Sequence, residues 1–155
     1  MAKLKIVKVG DDILRKKCRP VEEITPKIIR LLDDMAETMR DANGVGLAAP
    51  QVGIMRRIVV IEVEEGNLIE LINPKIIAYA GEQTGNEGCL SVPNTWGTVT
   101  RPMHVTVRAL NRNGEEIEIT GSELLARALC HELDHLDGKL YIDIATDIEK
   151  ISPEQ

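Results

Sequence analysis

The sequence predicts an α+β fold in which antiparallel β-sheets pack around a central helix. Apolar residues recur at three- and four-residue spacing in the stretch 121–138, which indicates an amphipathic helix. Ser122 or Thr120 is expected to cap its start, and Gly138 to follow its end. Elsewhere, short β-branched runs are separated by turn residues, and Asn113-Gly114 is a strong signal for a β-hairpin. Hairpin-linked strands form antiparallel sheets, so helix and sheets are expected to share a core.

Length and composition favour one domain with an aliphatic core. The chain has 155 residues, 43% of them hydrophobic, but it contains no Phe, one Trp and two Tyr. This length suits a single domain over residues 1–155, and the polar composition of 147–155 predicts a frayed tail. A net charge of −6 argues against a surface that binds nucleic acid, so we expect no nucleic-acid partner.

The sequence also predicts a cytoplasmic location. No apolar run is long enough to span a membrane, and the N-terminal residues lack the apolar centre of a signal peptide. The three cysteines, Cys18, Cys89 and Cys130, are odd in number and widely spaced. In a reducing compartment this pattern favours free thiols or a metal ligand over a disulfide framework.

Turn and capping residues place the elements that precede the central helix. Asp11 suits the N-cap of a short helix that must end before Pro20. Pro26 suits the first turn of the next helix, which Asn43-Gly44 ends. Pro74 is expected to interrupt the chain before the run 75–79. The glycine-containing stretches are predicted to be loops. In chain order we expect a strand at 3–9, helices at 11–17 and 26–42, strands at 57–63, 68–72 and 75–79, loops at 85–93 and 95–100, and strands at 105–110 and 116–120.

The central helix carries the pattern His-Glu-x-x-His. His131 and His135 are four residues apart, so on a helix they lie one turn apart on one face, where both can bind the same metal ion. Glu132 lies beside them and is placed to take a proton from a metal-bound water. The pattern therefore predicts a catalytic metal site.

Such a site needs a third protein ligand and an open position for water. Metalloproteases that extend the motif place a histidine where this sequence has Tyr141, and those that use a later glutamate would draw on Glu149 or Glu154 in the polar tail. Cys89 is the remaining candidate, because a thiolate suits a soft or borderline divalent metal. Two alternatives stay open: a metalloprotease whose third ligand is His or Glu, and a non-catalytic domain whose metal is closed off by four protein ligands.

A loop of small residues, GVGLAAPQ, precedes the first predicted hairpin. Its glycines and alanines let backbone approach another group closely, but it lacks the glycine spacing of phosphate-binding loops. Gln51 ends this apolar loop, and its amide could donate an N–H to a developing oxyanion. The alternative is a tight loop that enters a strand and has no chemical role.

Three stretches resemble, in the right order, the signature motifs of the peptide deformylase family. They are Gly44–Gln51 (GVGLAAPQ), Glu87–Ser91 (EGCLS) and His131–His135 (HELDH), and the resemblance extends over nearly the whole chain. It implies a single catalytic metallohydrolase domain that removes the formyl group from the N-terminal formylmethionine of newly made polypeptides. In this family a metal-bound water attacks the formyl carbon while a glutamate acts as general acid and base.

The resemblance also implies roles for individual residues. The expected metal ligands are Cys89, His131 and His135, the expected general acid and base is Glu132, and the expected oxyanion donors are Gln51 and the backbone N–H of Leu90. Val45 and Gly46 are expected to offer backbone to the substrate peptide. On the metal-binding helix, Leu125, Leu129 and Cys130 are expected either to line a pocket for the methionine side chain or to pack in the core.

Cofactor and partners follow from the same resemblance. The family's usual metal is ferrous iron, Fe²⁺, and Zn²⁺, Ni²⁺ or Co²⁺ can occupy the site. The expected partners are N-formylmethionyl nascent peptides, with no membrane partner. A ribosome contact stays open, because bacterial relatives often carry a longer C-terminal helix linked to ribosome docking, whereas this sequence ends at Gln155. Independently of the motifs, Arg101 is expected to form an ion pair with Glu87 that supports the metal-binding loop.

Overall fold

The computed structural model describes residues 3–150, and its architecture is α+β, as predicted. Within these residues it contains two α-helices, α1 (Pro26–Asp41) and α2 (Leu124–Leu136), and short 3₁₀ turns at Asp12–Arg15, Ala49–Val52 and Tyr141–Asp143. The strands are β1 (Gly46–Ala48), β2 (Ile58–Ile61), β3 (Ile69–Ala80), β4 (Gln83–Cys89), β5 (Val92–Arg101), β6 (His104–Leu110), β7 (Glu116–Ser122) and β8 (Thr146–Lys150). That residues 1–155 form a single catalytic domain stays a prediction.

All strand pairs in the two sheets are antiparallel. The larger sheet has the order β1-β2-β3-β6-β7, and the smaller has the order β4-β5-β8. The predicted hairpins β2–β3 and β6–β7 are confirmed, with Ile58 opposite Ile72 and Val107 opposite Ile119. No helix within residues 3–150 has the length and apolar character needed to cross a membrane.

The larger sheet lies between the two helices. Successive side chains of a strand point to opposite faces, and strand β2 shows this alternation directly. Ile58 and Val60 pack in the cluster that contains α1 residues, whereas Val59 and Ile61 pack in the cluster that contains α2 residues. Helix α2 also contacts β5, so it joins the larger sheet to the smaller one.

The predicted loops at 85–93 and 95–100 are wrong, because both stretches belong largely to strands. Strand β4 pairs with β5 from Gln83 opposite Arg101 to Cys89 opposite Val92. The glycines that suggested turns serve close packing here: a side chain at Gly88 would overlap the Trp96 ring. Glycine content alone therefore misled the prediction, since packing against a neighbour is another reason for glycine in a strand.

Two further strand predictions are wrong. The segment 3–9 forms no strand; it makes separate backbone bonds, from Val7 N–H to the Gln51 carbonyl and from Val9 N–H to the Ser91 carbonyl. Pro74 does not interrupt β3, because the strand passes it with a register shift between Ile72 and Lys75. A bulge of this kind accommodates proline, which cannot donate to the ladder.

The polar tail and the start of α2 also differ from expectation. Residues 147–150, expected to be frayed, belong to strand β8, whose Lys150 lies opposite Thr95 of β5; residues 151–155 lie outside the described part. Neither Ser122 nor Thr120 caps α2, because both belong to β7 and bond across to β6. Backbone pairing can order a polar segment and occupy a capping hydroxyl, and sequence pattern shows neither effect.

Candidate active site

Helix α2 and the end of strand β4 bring three potential metal ligands together. His131 and His135 lie one turn apart on α2, and Cys89 is the last residue of β4. One ligand atom from each of the three residues lies within 4.8 Å of the others, and the Cys89 Sγ is 3.4 Å from Nε2 of His135. Both imidazoles are buried, whereas Cys89 is half-buried.

The geometry and chemistry of this donor set fit a divalent metal ion. In a tetrahedral site with metal–sulfur and metal–nitrogen bonds of about 2.3 and 2.05 Å, sulfur and nitrogen lie about 3.5 Å apart. The Cys89–His135 distance agrees with that value. His131 uses Nδ1 to bond Glu87, which leaves its Nε2 as the ring nitrogen for a metal. One sulfur and two ring nitrogens also leave a fourth position open.

Glu87 supports this site through a buried network of ion pairs. Its Oε1 is 2.7 Å from Nδ1 of His131, and Arg101 donates to both of its oxygens at 2.9 and 3.0 Å. The predicted pairing of Glu87 with Arg101 is therefore confirmed. Arg127 adds a bond of 2.7 Å to Oε2, and Arg101 continues to Asp134 at 2.8 Å. The carboxylate of Glu87 is thus fixed from three directions.

The pKa values of Glu87, His131 and His135 are shifted from their ordinary values, and the balance between burial and neighbouring charges differs for each residue. Burial alone would raise the pKa of Glu87, but its bonds to His131 and Arg101 outweigh burial and lower the pKa to about 2. Burial lowers the pKa of His135 well below its ordinary value. For His131 burial acts in the same direction, but Cys89, Glu132 and Glu87 outweigh it and raise the pKa. Glu87, whose pKa is low, is the carboxylate that favours positive charge on His131.

Glu132 lies against the backbone of strand β1. A side chain at Gly46 would approach Oε2 of Glu132 within 2.5 Å, so glycine is what makes room for the carboxylate. Within residues 3–150, the structure gives the buried Oε1 of Glu132 no hydrogen-bond partner. Burial raises the pKa of Glu132 to about 7, where a carboxyl group can both accept and release a proton.

Gln51 faces the same centre from the 3₁₀ turn that follows β1. Its Oε1 accepts from the backbone N–H of Ala48 at 2.9 Å, which fixes the orientation of the amide. Its Nε2 donates to Ser91 Oγ at 3.1 Å and lies 3.5 Å from the Cys89 sulfur. Leu90 follows Cys89 in the turn between β4 and β5. The structure therefore brings Gln51 and Leu90 beside the candidate metal ligands.

An open cavity of about 730 Å³ lies over these residues. Val45, Gly46, Gln51, Leu90 and Glu132 line it, as do the candidate ligands Cys89 and His131. Its volume falls in the range of small-molecule and peptide-binding pockets. The cavity is thus large enough for a side chain and adjoining backbone of a peptide.

The sequence left two roles open for three apolar residues of α2: lining a pocket, or packing in the core. Leu125, Leu129 and Cys130 pack in the core cluster between α2 and the larger sheet, so the structure does not bring them to the cavity. Leu124, Arg127 and Ala128 line the cavity instead. Helical spacing could have found them, because Arg127 and Ala128 precede His131 by one turn and so share its face.

Comparison with known proteins agrees with this geometry. The model of the polypeptide deformylase family matches residues 3–151. A peptide deformylase from Agathobacter rectalis is 63% identical over 134 residues, which cover 86% of this chain and 84% of that relative. The structure of a peptide deformylase from Legionella pneumophila has a TM-score of 0.91 at 46% identity, covering 94% of this chain and 88% of the other. One from Synechococcus elongatus, in complex with actinonin, has a TM-score of 0.91 at 38% identity, covering 95% and 84%.

Proposed function

The chain belongs to the polypeptide deformylase family of metalloenzymes, which remove the formyl group from newly made polypeptides, and we propose that Cys89, His131 and His135 hold its metal ion. The observation that carries this proposal is the convergence of the three ligand atoms within 4.8 Å. Glu87 supports it by taking Nδ1 of His131, the usual arrangement of a carboxylate behind a metal-binding histidine.

We propose Fe²⁺ as the native ion, with Zn²⁺, Ni²⁺ or Co²⁺ able to replace it. One thiolate and two imidazoles suit this group of borderline divalent metals. A bound ion supplies Lewis acidity, which activates a water molecule for attack at neutral pH.

Glu132 is the proposed general acid and base. Its carboxylate accepts a proton from the attacking water and later delivers that proton to the leaving amine nitrogen. Two observations support this role: the buried Oε1 has no hydrogen-bond partner within residues 3–150, and the pKa of about 7 lets the group exchange a proton in both directions near neutral pH. Gly46 supports it too, since any larger residue there would displace the carboxylate.

Gln51 and the backbone N–H of Leu90 are the proposed donors to the oxyanion. The Gln51 amide is held by Ala48 and lies beside the Cys89 sulfur, so its Nε2 faces the reacting centre without a change of rotamer. Preorganised donors stabilise developing charge at little reorganisation cost, and losing one typically raises the barrier by about 3 kcal/mol.

The substrate peptide is proposed to lie along two open strand edges. Strand β1 is an edge of the larger sheet, and β4 is an edge of the smaller one. Both edges border the cavity, which Val45 and Gly46 line on one side and Glu87 on the other. Main-chain bonds at such edges recognise a peptide irrespective of its sequence. The methionine side chain is proposed to enter beside Leu124 and Ala128. A newly made chain as substrate and a reduced Cys89 both favour a cytoplasmic location.

The proposal is tested by metal analysis and an assay on the same anaerobically purified protein. We expect one divalent ion per chain and release of formate from a formyl-methionyl tripeptide, with activity lost on chelation and restored by Fe²⁺ or Co²⁺. Cys89→Ser should lose most of the metal and the activity. A Cys89→Ser protein with full metal and full activity would place the third ligand elsewhere, and cleavage of internal peptide bonds would indicate a metalloprotease.

A further inference from the structure

Arg127 connects the cavity wall to the carboxylate behind the metal centre. We propose that Arg127 is a positioning residue: it holds Glu87 in the orientation that fixes the ring of His131, and through it the affinity of the site for metal. The inference rests on the proposed metal ligands and assigns a role to a residue outside the three motifs.

The contacts of Arg127 join three elements at the site. Helix α2 places Arg127 one turn before His131, on the same face. Its Nη1 donates to Oε2 of Glu87 at 2.7 Å and to the carbonyl of Val99 at 3.1 Å. One guanidinium thus ties α2 to β4, which ends at Cys89, and to β5.

The two arginines on Glu87 divide its oxygens unequally. Arg101 spans both, through Nε to Oε2 and Nη2 to Oε1, whereas Arg127 bonds Oε2 alone. Oε1 is therefore the oxygen left to face His131, at 2.7 Å from Nδ1. A carboxylate held from both sides cannot rotate away from the imidazole. The orientation of the His131 ring, and hence of Nε2, depends on that restraint.

Arg127 and Glu87 form their ion pair in the wall of the cavity. Both residues line the cavity, yet they are only 8% and 5% exposed, so the guanidinium helps to keep the Glu87 carboxylate buried. Removing it would open Oε2 to water and lower the strength of the remaining bonds to Glu87. Arg101, at 6% exposure and paired also with Asp134, would still neutralise the carboxylate, so the fold should survive.

Arg127→Met tests the inference, because methionine keeps an apolar stem and removes the guanidinium. The matched control is Arg57→Met. Arg57 also anchors α2, through bonds of 3.1 Å to the Leu136 carbonyl and 3.0 Å to Asp137, but at the end away from Glu87. Both variants are expected to lower the melting temperature. Only Arg127→Met is expected to lower the affinity for the metal ion, by about tenfold or more.

The measurement is a titration of Co²⁺ into metal-free, reduced protein against a chelator of known affinity, with the melting temperature recorded for each variant. The inference is overturned if the affinity of Arg127→Met for Co²⁺ stays within about twofold of the parent's. It is also overturned if Arg57→Met lowers the affinity for Co²⁺ as much as Arg127→Met does. If Arg127→Met does not fold, Arg127→Lys replaces it: a loss of about threefold or more supports the inference, and unchanged affinity overturns it.

Cys89→Ser in the same titration separates this inference from the proposed function. If Cys89→Ser loses Co²⁺ while Arg127→Met does not, the proposed metal site stands and the role of Arg127 fails. If Cys89→Ser binds Co²⁺ like the parent, the proposed site itself fails, and the positioning role falls with it.

Discussion

The two helices of this chain differ in how closely they follow the rules of helix formation. Helix α1 begins with Thr25 as N-cap and Pro26 in its first turn, and it buries Leu32, Met35 and Met39 along one face. The N-cap of helix α2 is Glu123, whose φ is +54° and whose side chain makes no capping hydrogen bond within residues 3–150. Helix α2 buries four ionisable side chains, Arg127, His131, Glu132 and His135, whereas α1 buries one, Asp34.

This difference indicates that α1 has a structural role, whereas α2 carries residues of the candidate active site. The capping and apolar face of α1 each stabilise a helix, so α1 needs no further explanation. Burying ionisable groups and starting a helix on a strained residue both cost free energy. Such costs persist where the surrounding structure compensates and function requires them. Substitutions on α2 should therefore change turnover, and those on α1 should change stability.

The largest effect is expected from the matched pair Glu132→Ala and Glu37→Ala. Each glutamate, one on α2 and one on α1, has a buried carboxylate oxygen with no hydrogen-bond partner among residues 3–150. Glu132→Ala should lower turnover by about 10³-fold or more, because it removes the proposed general acid and base, and should leave the metal bound. Glu37→Ala should leave turnover unchanged.

The pair is compared by formate release and by metal content. Turnover retained in Glu132→Ala would exclude the proposed role of that residue. A loss in Glu37→Ala as large as in Glu132→Ala, with both proteins folded, would remove the distinction between the helices.

Met35→Ala is expected to have the next largest effect, on stability. Met35 is fully buried in α1, so truncation should leave a cavity and lower the free energy of unfolding by about 3 kcal/mol. Urea unfolding measures this loss, and kcat per folded molecule should stay within twofold of the parent. A kcat that falls while the metal stays bound would show that α1 contributes to the site.

Thr25→Ala is expected to lower the free energy of unfolding by less than Met35→Ala does. The Thr25 hydroxyl accepts from the Ile28 N–H, and removal of such a cap typically costs about 1 kcal/mol. The free energy of unfolding should fall accordingly, with KM and kcat unchanged. Thr25→Ser, which keeps the hydroxyl, is the control; equal losses in both variants would mean that the cap is not the cause.

The smallest effect is expected from Glu123→Gly at the start of α2, and it should be a gain. Glycine adopts positive φ without strain, and its greater flexibility offsets part of that benefit, so the net gain is about 0.5 kcal/mol. Thermal unfolding should move upwards by one to two degrees. A lower melting temperature would show that the Glu123 side chain stabilises the helix start by a contact that outweighs its backbone strain.

The sequence predicted the parts of this structure that depend on local pattern. The periodicity of α1, both hairpins and the face shared by His131 and His135 follow from rules of spacing, and all are present. Pairing between β4 and β5 did not follow, because Gly85 and Gly88 suggested turns. Gly88 makes room for the ring of Trp96, a neighbour that only the folded chain reveals.

The site shows the same division. The motifs pointed to Cys89, Gln51 and Glu132, and the structure brings all three to one cavity. For Leu129 the sequence left two roles open, lining a pocket and packing in the core, because apolar character suits both; the structure packs it in the core against the larger sheet. Arg127 was missed, since an arginine beside an apolar stripe is usually a solvated residue and its partner Glu87 is distant in sequence.

The proposed arrangement of Cys89, His131 and His135 around one ion is tested most directly by X-ray absorption on the zinc-loaded protein. We expect one sulfur at about 2.3 Å and two imidazole nitrogens at about 2.0–2.1 Å from zinc, with the sulfur lost in Cys89→Ser. A shell of nitrogen and oxygen alone in the unaltered protein would contradict the assignment of these ligands.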